Sequence, residues 1–581
     1  MIAQIRTNGK LYISTLCLIL LTLALAKPVL GLNTFLPSPT QAGVVITPLQ
    51  LAGLAALLLV IVYTFLGFNP LGFTEPLLIG TIAGFILGIP EVALVLSAML
   101  ELVYLGVFPI GGAAAPCAWV ATIVAVMFAK ILGITEVTTE ALSSIVALVV
   151  PIGLLAMYIE VVLARMGCVG YSHLVDRLID SGNISAIGPV VALGTFQWFI
   201  AYLIPVVAFA ALGMSPQAVE TLRTFVNTPI VKKIFTALGV AGWLMPAIGL
   251  GWLLKLLYTS EMLPWLILGY VLIAYLKLPI LGVALLVAGL IFLVWRKELW
   301  EAIRAAAPTT ATPTEGQRVL TKKDLVKTFL KIAFASQWAW NYERMQGSAY
   351  AFIMTHIEKK LRKTPDELKT WMKMHNEFFN TNPVMIPLIV GIDAALEESG
   401  ADMETVRGIK TSLMGPLAGL GDGIFWFTWR PIAFGIGASL AMTAGFVGPV
   451  VAAVLWIPVV FIVGWLLLYY GYKYGLSIAT ILRTGRIEII RTALAALAVA
   501  VIAALGVTYV NVKVPLQIVG MKGAAISIQE CIDKIMPRLI PLAFFLGAFA
   551  LMKKGISPIK VLGLYFVIGF VLGLIGVLAP G

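Results

Sequence analysis

Phe446-Val447-Gly448-Pro449-Val450-Val451-Ala452-Ala453-Val454-Leu455-Trp456-Ile457-Pro458-Val459-Val460-Phe461-Ile462-Val463-Gly464-Trp465-Leu466-Leu467-Leu468-Tyr469-Tyr470 carries no charge over its whole length. About 20 apolar residues suffice for a helix to cross the hydrocarbon core of a bilayer, so this stretch reads as a membrane span. The chain around it is of the same kind. Of its 581 residues 60% are hydrophobic and 12% charged, with a mean hydropathy of +1.00. Soluble domains are roughly 45–50% apolar and about 25% charged. A water-soluble globular protein is therefore excluded, and the chain is expected to be an all-α polytopic membrane protein. The formal charge of +12 does not point to nucleic acid. Its basic residues lie mostly between apolar runs, where they would anchor cytoplasmic loops to anionic headgroups.

Working outward, the second half has further spans at about 431–444, 490–510, 538–552 and 560–578. The first half has apolar runs at about 49–68, 77–89, 91–108, 114–133, 142–165, 185–212 and 233–257, and a block over 263–295 with room for two short spans. Each run is near crossing length. Gly and Pro interrupt several of them, as in broken or re-entrant helices lining a cavity or in tight packing through small residues. Residues 1–46 have the layout of a signal peptide or signal anchor, with Arg6 and Lys10 before the apolar run Leu11–Leu25 and then Ala24-Leu25-Ala26. Residues 298–318 are rich in Ala, Thr and Pro between basic flanks, which predicts an unstructured cytoplasmic linker. The two halves, 47–297 and 319–581, are of related size. In the second, an amphipathic cytoplasmic part is expected over about 319–400 and a membrane part over about 405–581. Thr364-Pro365-Asp366-Glu367 predicts a helix start, with the helix running to about Asn376.

Three clusters put polar groups where a bilayer disfavours them. Glu101 sits inside an apolar helix, a few residues before the loop Pro109-Ile110-Gly111-Gly112. At that depth a carboxylate costs about 2.5–3.5 kcal/mol, so it should face a cavity or a donor, such as a sugar hydroxyl, or form a structural ion pair. His375-Asn376-Glu377-Phe378-Phe379-Asn380-Thr381-Asn382-Pro383 mixes amides, a carboxylate and aromatic rings. That mixture suits a neutral sugar, although Asn-Thr-Asn-Pro is also good turn chemistry. Gly415 to Pro431 contains Asp422, Trp426 and Arg430. Its glycines permit a re-entrant hairpin, and Asp422 could pair with Arg430 if the segment between them is helical. Asn341 to Gln346, with Glu343 and Arg344, reads on its own as the polar face of an amphipathic helix.

Other chemistry finds little in the chain. No Gly-Lys-Ser/Thr follows the glycines, so ATP hydrolysis is not expected. Cys17, Cys117, Cys168 and Cys531 have neither zinc nor CxxC spacing, and the three histidines do not suggest a metal centre. No cofactor is expected. No nucleophile elbow or zinc helix is present, and catalysis by this chain alone has little support.

Taken together, the clusters resemble one family: the mannose-type sugar permeases of the bacterial phosphoenolpyruvate-dependent phosphotransferase system. The first half is similar to component IIC through Leu100-Glu101 and Ile110 to Pro116. The second is similar to IID through Trp340-Asn341-Tyr342-Glu343-Arg344-Met345-Gln346, Glu377-Phe378-Phe379-Asn380-Thr381, Leu413 to Gly419, Gly421-Asp422, Ile424-Phe425-Trp426 and Arg430-Pro431. The linker would fuse two chains that are usually separate.

The resemblance implies a multi-pass protein of the cell membrane that binds a hexose-like sugar where IIC meets IID. The sugar would be phosphorylated during uptake by soluble IIA and IIB, with phosphorylated IIB docking on the cytoplasmic side. It also implies a homotrimer of the fused unit. Expected substrate-binding residues are Glu101, Pro109, Gly111, Cys117, Glu377, Phe379, Asn380, Thr381 and Trp426. Asp422, Arg430, Glu343 and Arg344 are expected as structural ion pairs nearby. The family pattern has Asn where Pro109 stands and Asp where Cys117 stands, which puts the usual mannose or glucose specificity in question. It also has Pro where Gly423 stands. The departure at Cys117 keeps open an uncoupled sugar facilitator or channel with the same fold. A membrane enzyme would have to rely on His375 and Glu377.

Overall fold

The computed structural model describes residues 45–107, 115–135, 137, 139–226, 228–297, 319–362, 364–475, 488–519 and 525–580. The signal-like segment up to residue 44, the loop residues Pro109 and Gly111, and the linker 298–318 lie outside the described residues.

The first half comprises α1 (Pro48–Phe65), α2 (Pro76–Leu87), α3 (Pro90–Tyr104), α4 (Ala118–Leu132), α5 (Thr139–Ile159), α6 (Val169–Asp180), α7 (Ile187–Met214), α8 (Pro216–Val226), α9 (Pro229–Leu244), α10 (Pro246–Leu257), α11 (Leu263–Ala274) and α12 (Ile280–Val294). The second comprises α13 (Lys322–Ala335), α14 (Gly347–Leu361), α15 (Pro365–His375), α16 (Ile386–Glu398), α17 (Met403–Gly421), α18 (Arg430–Ala444), α19 (Val447–Tyr474), α20 (Glu488–Tyr509), α21 (Ile528–Ile535), α22 (Leu539–Lys553) and α23 (Pro558–Leu574). Two small antiparallel ladders complete it, β1 (Val512–Lys513) with β4 (Ala579–Pro580) and β2 (Gln517–Val519) with β3 (Ala525–Ser527).

Many of these helices begin on proline, whose missing N–H is not needed in the first turn and whose ring presets the helical φ. Thr364 caps α15 as the sequence predicts, and Glu367 completes a capping box. Among the described residues, six stretches are long and apolar enough to cross a membrane: Pro48–Phe65, Leu142–Asp180, Ile184–Met214, Pro229–Leu257, Val447–Tyr474 and Thr492–Tyr509. The expectation that every apolar run is near crossing length fails at α2, α3 and α4, which have 12, 15 and 15 residues. With 12 residues, α2 is about 18 Å long, well short of a hydrocarbon core of about 30 Å. A tight turn with Gly88 at φ +79° folds α3 back on α2, so the two form a short hairpin packed inside the protein. The block at 263–295 is two short helices, α11 and α12.

The halves interleave. Helix α9 packs on α23, α10 on α22, α11 on α20 and α3 on α18. Small residues let these backbones approach closely: a Cβ added at Gly569 of α23 would lie 2.6 Å from the Cα of Ala241 on α9. The turn after α1 is stitched to the second half by backbone hydrogen bonds, Phe68 N to Ala333 O (3.1 Å) and Gln337 N to Leu66 O (2.7 Å). The outer faces are apolar instead of polar. Phe196, Ile200 and Ile204 on α7, Leu285 and Leu293 on α12, and Val450, Val454 and Ile462 on α19 are all exposed, which suits lipid as the surrounding solvent.

Gly67 sits at the stitch, where an added Cβ would stand 1.9 Å from the carbonyl oxygen of Ala333. Gly67→Ala is therefore expected to push the halves apart and lower the thermal unfolding temperature of the detergent-purified protein. An unchanged melting curve would show that the stitch does not hold them together.

Candidate functional site

Where the halves meet, the turn after α1, the start of α4, the end of α5 and the segments around Trp340, Asn380 and Asp422 line a cavity that is open to solvent on one side. Its wall is mixed: aromatic Trp119, Trp198, Trp340 and Trp426 alternate with polar Asn69, Glu75, Glu160, Gln346, Asn380, Thr381, Asn382 and Asp422.

Two of the carboxylates that line it, Glu160 and Asp422, come one from each half, and both stand at the first residue of a π-helical turn. Helix α5 loosens into a π turn over Glu160–Met166, and α17 into one over Asp422–Trp429 before continuing as α18. A π turn displaces side chains from the α-helical register and often marks a functional position. The segment rich in glycine is thus a continuous helix with one widened turn, and not the re-entrant hairpin that its composition allowed.

Each carboxylate is held by its own network. Glu160 Oε1 accepts from Arg165 Nε (2.5 Å), and its Oε2 accepts from Tyr202 (2.9 Å) and from the Cys117 thiol (2.9 Å). The Arg165 guanidinium lies over the Trp340 ring at 4.9 Å and also packs on Trp198 and Tyr342. Asp422 accepts from Asn382 Nδ2 (2.8 Å). Gln346 grips Thr381 at both ends, accepting from its N–H (2.9 Å) and donating to its carbonyl (2.8 Å). The Gln346 N–H also donates to the carbonyl of Phe379 (2.9 Å), so the loop is fixed on either side of Asn380.

At the floor, Arg430 donates to Glu75 (2.7 Å), with side chains 7% and 2% exposed. Asn69 donates to Thr74 (2.7 Å), which bonds on to Glu75 (3.3 Å). Behind Glu75 lies Glu101, fully buried, with one oxygen on the Leu77 N–H (3.0 Å) and the other without a hydrogen-bond partner.

Of the residues expected from sequence, Asn380, Thr381, Trp426, Asp422 and Arg430 line the cavity. The others described stand back from it. Glu101 is a second layer behind Glu75, and Cys117 a second layer behind Glu160. Phe379 is buried beneath Tyr350, ring centroids 4.5 Å apart. Glu377 turns away to pair with Arg407 (3.0 Å). Asp422 and Arg430, expected to pair with each other, have Asn382 and Glu75 as partners. Arg344 clamps the halves together through both oxygens of Asp176 (2.8 and 2.6 Å), while Glu343 meets Arg344 (3.3 Å) and His173 (3.0 Å). Sequence reading missed Glu75, Asn69, Glu160 and Arg165, and had Gln346 only as part of the Asn341–Gln346 cluster. Their one signal was a charge or amide in an otherwise apolar neighbourhood, as at Glu75 and Glu160.

His375 does not face Glu377. Its Nε2 lies between Glu358 (3.0 Å) and Glu397 (3.1 Å), and Arg362 bonds both carboxylates from the other side. Burial and the neighbouring Glu358 push the Glu397 carboxyl up. Three potential metal ligands converge here, with Arg362 bonded to both carboxylates. The cluster ties α14, α15 and α16 beneath the cavity loop.

Residues 319–578 match the family model described as "PTS system mannose/fructose/sorbose family IID component", and residues 53–294 the one described as "PTS system sorbose-specific iic component". The mannose-specific EIID component of Escherichia coli (strain K12) is 33% identical over 282 residues, 46% of this chain and 99% of that protein. The fructose permease IID component of Bacillus subtilis (strain 168) is 32% identical over 265 residues, 44% of this chain and 96% of that protein. The mannose-specific EIIC component of E. coli K12 is 24% identical over 203 residues, 35% of this chain and 72% of that protein.

The floor pair generates a test. Removing one partner of a buried ion pair strands the other charge and typically costs about 3–5 kcal/mol, whereas removing both costs far less. Arg430→Met is expected to destabilise strongly and Glu75→Gln/Arg430→Met to recover much of the loss, read by denaturant unfolding of the purified protein. A double variant no better than the single one would contradict the pairing.

Proposed function

Because the chain belongs to the mannose/fructose/sorbose family of phosphotransferase-system membrane components, with a IIC and a IID component in one polypeptide, we propose that the cavity between its halves holds one hexose-like sugar during uptake. The observation that carries this reading is the pair of carboxylates, Glu160 and Asp422, each set by a π turn into one wall of a cavity also lined by indoles. Carboxylates and amides accept from sugar hydroxyls, and aromatic faces pack on the sugar's C–H surface. Arg165 and Arg430 are engaged by their own acids, so they set the positions of Glu160 and Glu75 and leave the wall suited to a neutral ligand. In this chain Glu160 supplies a carboxylate at the wall that Cys117 supports from behind.

The soluble IIA and IIB components carry the phosphoryl group. The chain's own part is to orient one sugar hydroxyl, keep water from competing with it, and expose it on the cytoplasmic side when one body of the fold moves against the other. Basic loops favour docking of an anionic phosphorylated IIB. The linker at 298–318, cytoplasmic in this reading, keeps IIC and IID at one-to-one stoichiometry and high effective concentration. The fused units assemble as a trimer, and the apolar outer faces meet lipid and neighbouring copies.

Cells producing the chain together with a matching IIA and IIB are expected to accumulate sugar phosphate, and cells lacking them are not. Equal uptake of free sugar without the soluble components would establish the uncoupled facilitator instead. A binding screen of hexoses, hexosamines and sorbose identifies the ligand. Against that sugar, Asp422→Asn and Glu160→Gln are each expected to weaken binding about 10-fold, the equivalent of one hydrogen bond to a charged group. Unchanged affinity in both would remove the cavity as the site.

A further inference from the structure

Helix α21 lies outside the sugar cavity and has no part in the reading above. At about 100° per residue, its apolar residues Ile528, Cys531, Ile532 and Ile535 fall within an arc of about 100°, while Gln529, Glu530, Asp533 and Lys534 occupy the opposite side. None of its eight residues is buried, and Ile535 is 79% exposed.

The orientation of the helix is fixed by its polar side. Gln529 accepts from the Val514 N–H (2.9 Å) and donates to Asp533 (2.9 Å), and Asp533 in turn accepts from the Arg538 N–H (3.0 Å). Arg538 takes a left-handed φ of +60° and reaches Asn511 (3.3 Å). The Gln529–Asp533 edge therefore turns toward the protein, leaving Cys531 and Ile535 exposed on the apolar side and Glu530 and Lys534 exposed beside it. Beyond Arg538 the chain bends by 72° into the apolar helix α22. At that bend the buried Tyr270 of α11 donates to the carbonyl of Pro537 (2.8 Å), which ties the bend to the first half.

We infer that α21 is an interfacial helix whose face of Ile528, Cys531, Ile532 and Ile535 lies among the acyl chains of the bilayer's own phospholipid, at the headgroup boundary. A helix nearly perpendicular to an adjoining apolar helix lies along the membrane plane, and its apolar stripe then meets hydrocarbon. Lys534 and Arg538 flank the stripe and suit anionic headgroups.

Cys531 is exposed and lies on this face, while Cys117 and Cys168 are buried. The full chain carrying Cys17→Ser can therefore be labelled at Cys531 with an environment-sensitive nitrobenzoxadiazole dye and reconstituted in phosphatidylethanolamine/phosphatidylglycerol vesicles. Nitroxide lipids bearing the spin label near the headgroup end of the acyl chain are expected to quench the dye more than those labelled near the chain terminus. Aqueous iodide is expected to quench weakly, and Ile535→Asp should reverse that order. Strong iodide quenching without nitroxide quenching would overturn the inference. Protection from both quenchers, with Cys531 crosslinking between copies, would overturn it in favour of a protein contact.

Discussion

Arg430 and Glu75 stand 2.7 Å apart, one from each half of the chain and both almost wholly out of solvent. In a low-dielectric interior such a pair tolerates little separation, because either charge alone would be strongly disfavoured. Much of the arrangement follows from that constraint. Glu75 closes the turn after α1 and fixes Thr74 and Asn69, and that same turn is stitched to α13 by backbone hydrogen bonds. Arg430 begins α18 directly after the π turn that presents Asp422. Holding the two together therefore sets the distance between the cavity floor and one of its acidic walls.

The other wall uses the same device with different partners. Arg165 holds Glu160 and lies on Trp340 of the opposite half, so the first half's acid is positioned partly by an aromatic ring of the second. Farther out, Arg344 with Asp176 and Asn341 with Ser172 repeat the cross-half pattern. Polar contacts of this kind give register to an interface that apolar packing alone would leave free to slide. Three contiguous features, the floor pair, the Glu160 network and the Gln346–Thr381 grip, converge on one cavity.

The six long spans, the α15 cap and the resemblance of the second half were legible in the sequence because they rest on local patterns: apolar length, capping residues and motif spacing. The site was legible only in part. Asn380, Thr381, Trp426, Asp422 and Arg430 line the cavity as their clustering suggested, but Glu101 and Cys117 stand one layer behind it, and Glu377 faces Arg407. A polar residue in an apolar run announces that it needs a partner, and nothing local says whether that partner is a ligand or a neighbouring side chain. Glu75 and Glu160 were missed for the same reason in reverse.

By itself the sequence determined that the chain lives in a bilayer, that it is two membrane units in one polypeptide and which family it resembles, since burial cost and periodicity act residue by residue. Only the tertiary structure decided which charges neutralise each other and which face the cavity. It likewise decided that α2 and α3 stop short of a full crossing and that α17 widens at Asp422. These outcomes depend on contacts between residues hundreds of positions apart, such as Glu75 with Arg430, and a helical period carries no record of what the helix will meet.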